Sequence, residues 1–131
     1  MKQKPVILYA DDDPDDRELL REALKKKGVE HELIETTNGR EALLYLRSPK
    51  GVEKQPCLIL LDLNMPVLNG RETLAIIKSE VETESIPVIV FTTPSSPLDE
   101  QYCKRFSVEM VTKPISLQEL NSFADRLLSY C

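Results

Sequence analysis

Apolar residues gather in five short runs along the chain, at positions 6–10, 32–36, 58–61, 88–91 and 110–112. Three of these runs are nearly continuous in Val, Ile and Leu, the pattern of strands buried on both faces of a parallel sheet. Between the runs the spacing becomes helical. From about Asp15 to Lys27, Leu19, Leu20, Ala23 and Leu24 share one side, and Gly28 supplies a stop. A second helix starts near Gly39 and carries Ala42, Leu43 and Leu46; a third starts near Gly70, with Leu74, Ile77 and Val81 at helical spacing. In a fourth, residues 98–106, the stripe Leu98, Tyr102 and Phe106 reads as core. The fifth opens at Ser116, with Glu119 placed to complete a capping box, and Leu117, Leu120, Ala124 and Leu127 make its buried face. This alternation predicts an α/β fold, a doubly wound (βα)5 unit with a five-stranded parallel sheet and helices on both faces. Residues 48–56 and the Pro/Ser-rich residues 94–97 read as surface loops, not as domain boundaries.

The length of 131 residues suits a single domain, 1–131, with no output domain after the fifth helix. Apolar residues at 41% and charged residues at 30% are those of a water-soluble fold. A net charge of −5, with Lys25, Lys26 and Lys27 as the one basic run, argues against nucleic acid as a partner. The opening MKQKPVILYADDD turns acidic after five apolar residues, so it is neither a signal peptide nor a membrane span, and the expected compartment is the cytoplasm. Cys57, Cys103 and Cys131 are far apart and lack metal spacing; they read as reduced thiols, with Cys57 a small core residue opening a strand. His31, the sole histidine, reads as a surface residue with no acid or base partner.

In an open sheet of this kind, ligands bind outside the carboxyl ends of the strands. The residues there carry chemistry. The first strand ends at Asp11, Asp12 and Asp13, the third at Asp62, the fourth at Thr92 and Thr93, and the fifth at Lys113. Carboxylates gathered within about 4 Å repel by roughly 1 to 4 kcal/mol per pair, so they take up protons or bind a cation. Oxygen-only ligands favour a hard divalent ion, and sparse ligation favours Mg2+. Magnesium beside a carboxylate and a lysine is equipment for phosphoryl transfer, with Asp62 as nucleophile and Lys113 and Thr92 contacting the phosphoryl oxygens. Pro114 biases Lys113 toward extended geometry, and a cis peptide between them would aim the lysine across the edge.

The segments ILYADDDPDD, LLDLNMPVLNG, PVIVFTTPSS and VTKP resemble, in that order, the motifs of the response-regulator receiver family over nearly the whole chain. The resemblance implies a flavodoxin-like strand order 2-1-3-4-5. It also implies a stand-alone regulator of a two-component phosphorelay, a signalling switch and not an enzyme beyond assisting its own phosphorylation and dephosphorylation. Asp11 and Asp12 match the acidic pair that holds Mg2+, and Asp62 matches the phosphorylated aspartate. Asn64 matches the position whose backbone carbonyl reaches the metal, Thr92 the switch hydroxyl and Lys113 the family's lysine. The DDDP and FTTPSS stretches look most like small single-domain regulators paired with phytochrome-type histidine kinases. The implied partners are a histidine kinase or phosphotransfer protein and a downstream protein, and the last two helices allow a homodimer.

The chain departs from the family pattern at Met110, where Tyr, Phe or His is usual, so an aromatic flip is replaced by a flexible side chain. Ser107 and Val108 replace a common Gly-Ala pair, and Thr93 stands where a very small residue is preferred, which would tighten access to Asp62. Other readings fare worse. An EF-hand loop through Asp11, Asp13, Asp15 and Glu22 has Asp16 where glycine is needed and Pro14 inside the loop. Asp13, Asp15 and Asp16 read better as helix-start acids. A phosphatase of the haloacid-dehalogenase type needs a second aspartate where Asn64 stands. A flavin carrier needs a Gly- and hydroxyl-rich loop where this chain has Asp11 to Asp15. A receiver that binds partners without phosphorylation stays open.

Overall fold

A computed structural model of the chain describes residues 4–28, 30–93, 96–114 and 116–131. Five strands, β1 (Val6–Ala10), β2 (Glu32–Thr36), β3 (Leu58–Leu61), β4 (Val88–Thr92) and β5 (Glu109–Thr112), form one parallel sheet in the order β2-β1-β3-β4-β5. The expected 2-1-3-4-5 order is the observed one. Six helices connect or follow them: α1 (Pro14–Lys26), α2 (Gly39–Arg47), α3 (Pro49–Glu53), α4 (Gly70–Ser79), α5 (Pro97–Arg105) and α6 (Leu117–Leu128).

Strand periodicity explains why β1, β3 and β4 are apolar throughout. Successive side chains point to opposite faces, and both faces are covered. Leu8, Ala10, Ile59, Leu61, Val88 and Val90 pack with Ala42, Leu43 and Leu46 of α2, Leu74 and Ile77 of α4, and Cys103 of α5. Ile7, Tyr9, Leu58, Leu60, Ile89 and Phe91 pack on the other side with Leu20 and Leu24 of α1 and Leu120, Phe123, Ala124 and Leu127 of α6. The helix starts are capped as their sequences suggest: the side chains of Asn38, Asn69, Ser96 and Ser116 each accept from the amide three residues on.

Several expectations are corrected. The connection 48–56 contains α3, started by the Ser48 hydroxyl accepting from the Gly51 amide at 3.0 Å. Val81 is not part of a helical face, because α4 stops at Ser79 and Glu80 is extended. Leu98 is exposed, since it sits roughly 140° around α5 from the buried Cys103 at 100° per residue, while Tyr102 and Phe106 do pack, edge to face. Leu117 is also exposed: in the first turn of α6 it lines a shallow cavity with Leu19 and Pro114, and Phe123 completes the buried face instead. His31 is not a plain surface residue, for both ring nitrogens are buried and meet no protein partner among the described residues. No peptide bond among the described residues is cis, so Lys113–Pro114 is trans and the lysine is aimed without that device.

The largest correction concerns sulfur. Cys57, just before β3, and Cys131, just after α6, are joined in a disulfide with Cα atoms 5.7 Å apart, which ties together positions 74 residues apart in sequence. Cys103 is a free, buried thiol. Spacing along the chain could not reveal the pair, because the packing of α6 against the sheet is what brings Cys131 to the start of β3. Pro94 and Ser95, in the expected 94–97 loop, lie outside the described residues.

Candidate functional site

Parallel register builds the site. Ala10 pairs with Leu61, so the next residues on β1 and β3, Asp11 and Asp62, stand side by side; the Asp62 amide donates to the Ala10 carbonyl at 3.0 Å. Thr92 closes β4 opposite Thr112, and the Lys113 amide donates to the Thr92 carbonyl at 2.7 Å. Four strand ends thus set Asp11, Asp62, Thr92 and Lys113 at one edge. Behind Asp62, α4 approaches closely: a Cβ at Gly70 would collide with the Asp62 carbonyl oxygen and lie 2.6 Å from Leu63 Cα. Gly70 is therefore required by space at the point where the loop leaves the site.

The carboxylates are held, not merely adjacent. Asp11 is fully buried and accepts from the Tyr9 hydroxyl at 2.8 Å and the Asp13 amide at 3.0 Å. The Arg17 guanidinium donates to the Asp11 carbonyl at 2.7 Å. Asp62, 4% exposed, accepts from the Asn64 amide at 3.2 Å. The Lys113 ammonium lies 2.9 Å from Asp11, 2.8 Å from Asp16 and 3.3 Å from Asp62, and 5.8 Å from the Phe91 ring centroid. Burial, and then the charge of Asp11, push the Asp62 carboxyl up to about 6, against the pull of Lys113 and the Asn64 amide. Burial acts to lower the Lys113 pKa, but its hydrogen bonds to Asp16 and Asp11 outweigh that and raise it. Burial and the Asp11 carboxylate raise the Tyr9 phenol.

Oxygens of Asp11, Asp12 and Asp62 all lie within 4.8 Å of one another, with Asp12 exposed to solvent. A donor set of oxygen alone, in which the Asp11 charge adds to burial in raising the Asp62 carboxyl, fits a hard divalent cation. Asn64 stands exposed beside this cluster. Met110 pairs with Val90, so by strand parity it lies on the same sheet face as Thr92, half-buried against the α2, α4 and α5 side. Thr93 is exposed.

The structure brings together Asp11, Asp12, Asp62, Thr92 and Lys113. Asp13, expected as a helix-start acid, is the N-cap of α1, its side chain accepting from the Asp15 and Asp16 amides. Sequence reasoning missed two participants. Asp16, expected as a dipole acid, is a partner of Lys113, and Tyr9, two residues before Asp11, is on the same face and donates to it. The second had a signal in the strand's two-residue period; the first depends on the helix phase of α1.

Fold and site together define a class: doubly wound α/β proteins with an acidic rim at the strand ends, fitted for a divalent cation. The chain belongs to the response regulator receiver domain family, whose model matches residues 7–125. Among curated relatives it is 43% identical over 90 residues to response regulator Rcp1 of Synechocystis sp., a stretch covering 67% of this chain and 61% of Rcp1. The phosphorylated cyanobacterial phytochrome response regulator RcpA superposes with a TM-score of 0.87 at 34% identity, over 98% of this chain and 94% of that one. The Mn(2+)-bound form of Rcp1 superposes at 0.81 with 35% identity, over 95% of this chain and 92% of that one.

Proposed function

We propose that Asp62 accepts a phosphoryl group from a phosphohistidine of a histidine kinase or phosphotransfer protein, and that the change alters binding of a downstream protein. The observation that carries this reading is the Lys113 ammonium 3.3 Å from the Asp62 carboxylate, beside the Asp11–Asp12 pair. Asp11, Asp12, Asp62 and the Asn64 carbonyl are the residues that would hold Mg2+. When bound, the ion supplies positive charge that offsets carboxylate repulsion and that of the phosphoryl oxygens. An Asp62 oxygen forms the new bond to phosphorus while the bond from phosphorus to the histidine nitrogen breaks, and that nitrogen keeps the electron pair. Lys113 and the Thr92 hydroxyl then contact the transferred oxygens.

The acyl phosphate carries about −2 charge where the Asp62 carboxylate carried −1, and it moves that charge outward onto three phosphoryl oxygens. Thr92 and Met110 share a sheet face, and α4 and α5 are clasped beside it by Arg71 to Asp99 at 2.7 Å and by the Tyr102 hydroxyl donating to the Arg71 carbonyl at 2.7 Å. Withdrawal of Thr92 toward the phosphoryl group lets Met110 and this clasp resettle, without an aromatic flip. The chain acts as a switch in the cytoplasm, where it meets kinase and target by protein contact and can pair with a second copy through its last helices. No helix among the described residues is long and apolar enough to cross a membrane.

The test is incubation with acetyl phosphate and Mg2+, read by a phosphate-affinity gel. The wild-type chain shifts, and omission of Mg2+ or the substitution Asp62→Asn abolishes the shift. Full labelling of Asp62→Asn ends the proposal.

A further inference from the structure

The Lys113 ammonium has three N–H donors and three carboxylate partners. The shortest contact, 2.8 Å, is not to the proposed acceptor or to a proposed metal ligand but to Asp16, in the first turn of α1 and 97 residues away in sequence. The contact to Asp62, at 3.3 Å, is the longest and therefore the weakest. We propose that Asp16 is a positioning residue: it holds Lys113 at the rim before and after the phosphoryl group arrives, so that the lysine's other donors meet the new oxygens without a search. This inference rests on the reading of Asp62 as acceptor.

On that reading, two of the three partners change duty. Asp11 turns to the cation and Asp62 becomes the mixed anhydride with phosphate. Asp16 has neither task, and no other donor reaches its carboxylate among the described residues. It stands in the first turn of α1, whose start is capped by the Asp13 carboxylate accepting from the Asp15 amide at 2.9 Å. Lys113 hangs on a flexible stem with only 12% of its side chain exposed. A lysine that lost all three partners would regain rotamer freedom that transfer must then remove. One retained charge-assisted hydrogen bond prevents this while two donors stay available.

The test uses the full chain with acetyl phosphate and Mg2+, and separately with beryllium trifluoride as a phosphoryl mimic, followed by the amide resonances of Thr92 and Lys113. Asp16→Ala should slow labelling and weaken mimic binding, each by roughly three- to tenfold. Asp16→Asn, which keeps an acceptor but no charge, should fall between Asp16→Ala and wild type, and Asp16→Glu should recover more than Asn. A helix-start acid alone would shift melting temperature and leave the mimic affinity as in wild type. Should Asp16→Ala fail to fold, the Asn and Glu pair gives the same ordering. Wild-type or faster labelling of Asp16→Ala or Asp16→Asn, with unchanged mimic affinity, overturns the positioning role while leaving Asp62 as acceptor. A wild-type chain that takes no label removes both.

Discussion

Asp62 sits in the fold at an energetic disadvantage, and its pKa of about 6 says how the protein should respond to pH. In the unfolded chain the same carboxyl titrates near 3.9. Between those values the folded state holds more protons than the unfolded one, so metal-free stability falls as pH rises from about 4 to 6 and the loss is complete above that. Asp62→Asn removes the buried charge and should raise metal-free stability at neutral pH by about 1–3 kcal/mol, measured by urea denaturation, with a flatter profile across that window. Lys113→Ala should do the opposite. It leaves the fully buried Asp11 without its cationic partner, and a loss of about 2 kcal/mol is expected, lessened at low pH. At this scale the site was largely legible, because Asp11, Asp62, Thr92 and Lys113 are each the end of a recognisable strand. Asp16 was not, because nothing local to it announces a lysine brought over by the sheet.

Elements were legible where periodicity alone decides them: β1, β2 and β3 run as their apolar patterns predict, while the strand order was legible only through the family resemblance. Two misreadings fall at helix ends: apolar spacing continues through Val81 and Leu117, and spacing does not report where contact stops. Leu98 stands off the buried face of α5, and α3, at five residues, is too short to show a period. Backbone strain was also invisible. Val67, in the connection from Asp62 to α4, has φ +67° with a β-branched, exposed side chain. Val67→Gly removes that strain with little packing to lose, and a stability gain of about 1 kcal/mol should appear as a higher denaturation midpoint. An unchanged or lower midpoint would mean that the chain entropy added by glycine matches the strain relieved.

Across the whole molecule, the Cys57–Cys131 bond ties the end of α6 to the base of the sheet and closes a long loop. Loop-closure entropy sets its stabilisation at up to about 4 kcal/mol. Adding dithiothreitol should therefore lower the melting temperature of the wild-type chain, and Cys131→Ser should melt like the reduced protein with or without reductant. Both cysteines lie away from the rim, so labelling at Asp62 should survive reduction. A cytoplasmic setting would hold this pair under reducing pressure, and thiol trapping in fresh lysates reads its state. The central claim, that one carboxylate among several is the phosphoryl acceptor, is tested most directly by borohydride reduction of the labelled chain followed by peptide mass spectrometry. The account predicts conversion of Asp62 to homoserine only when phosphodonor and Mg2+ are both present; conversion at Asp11 or Asp12 instead, or none anywhere, would contradict it.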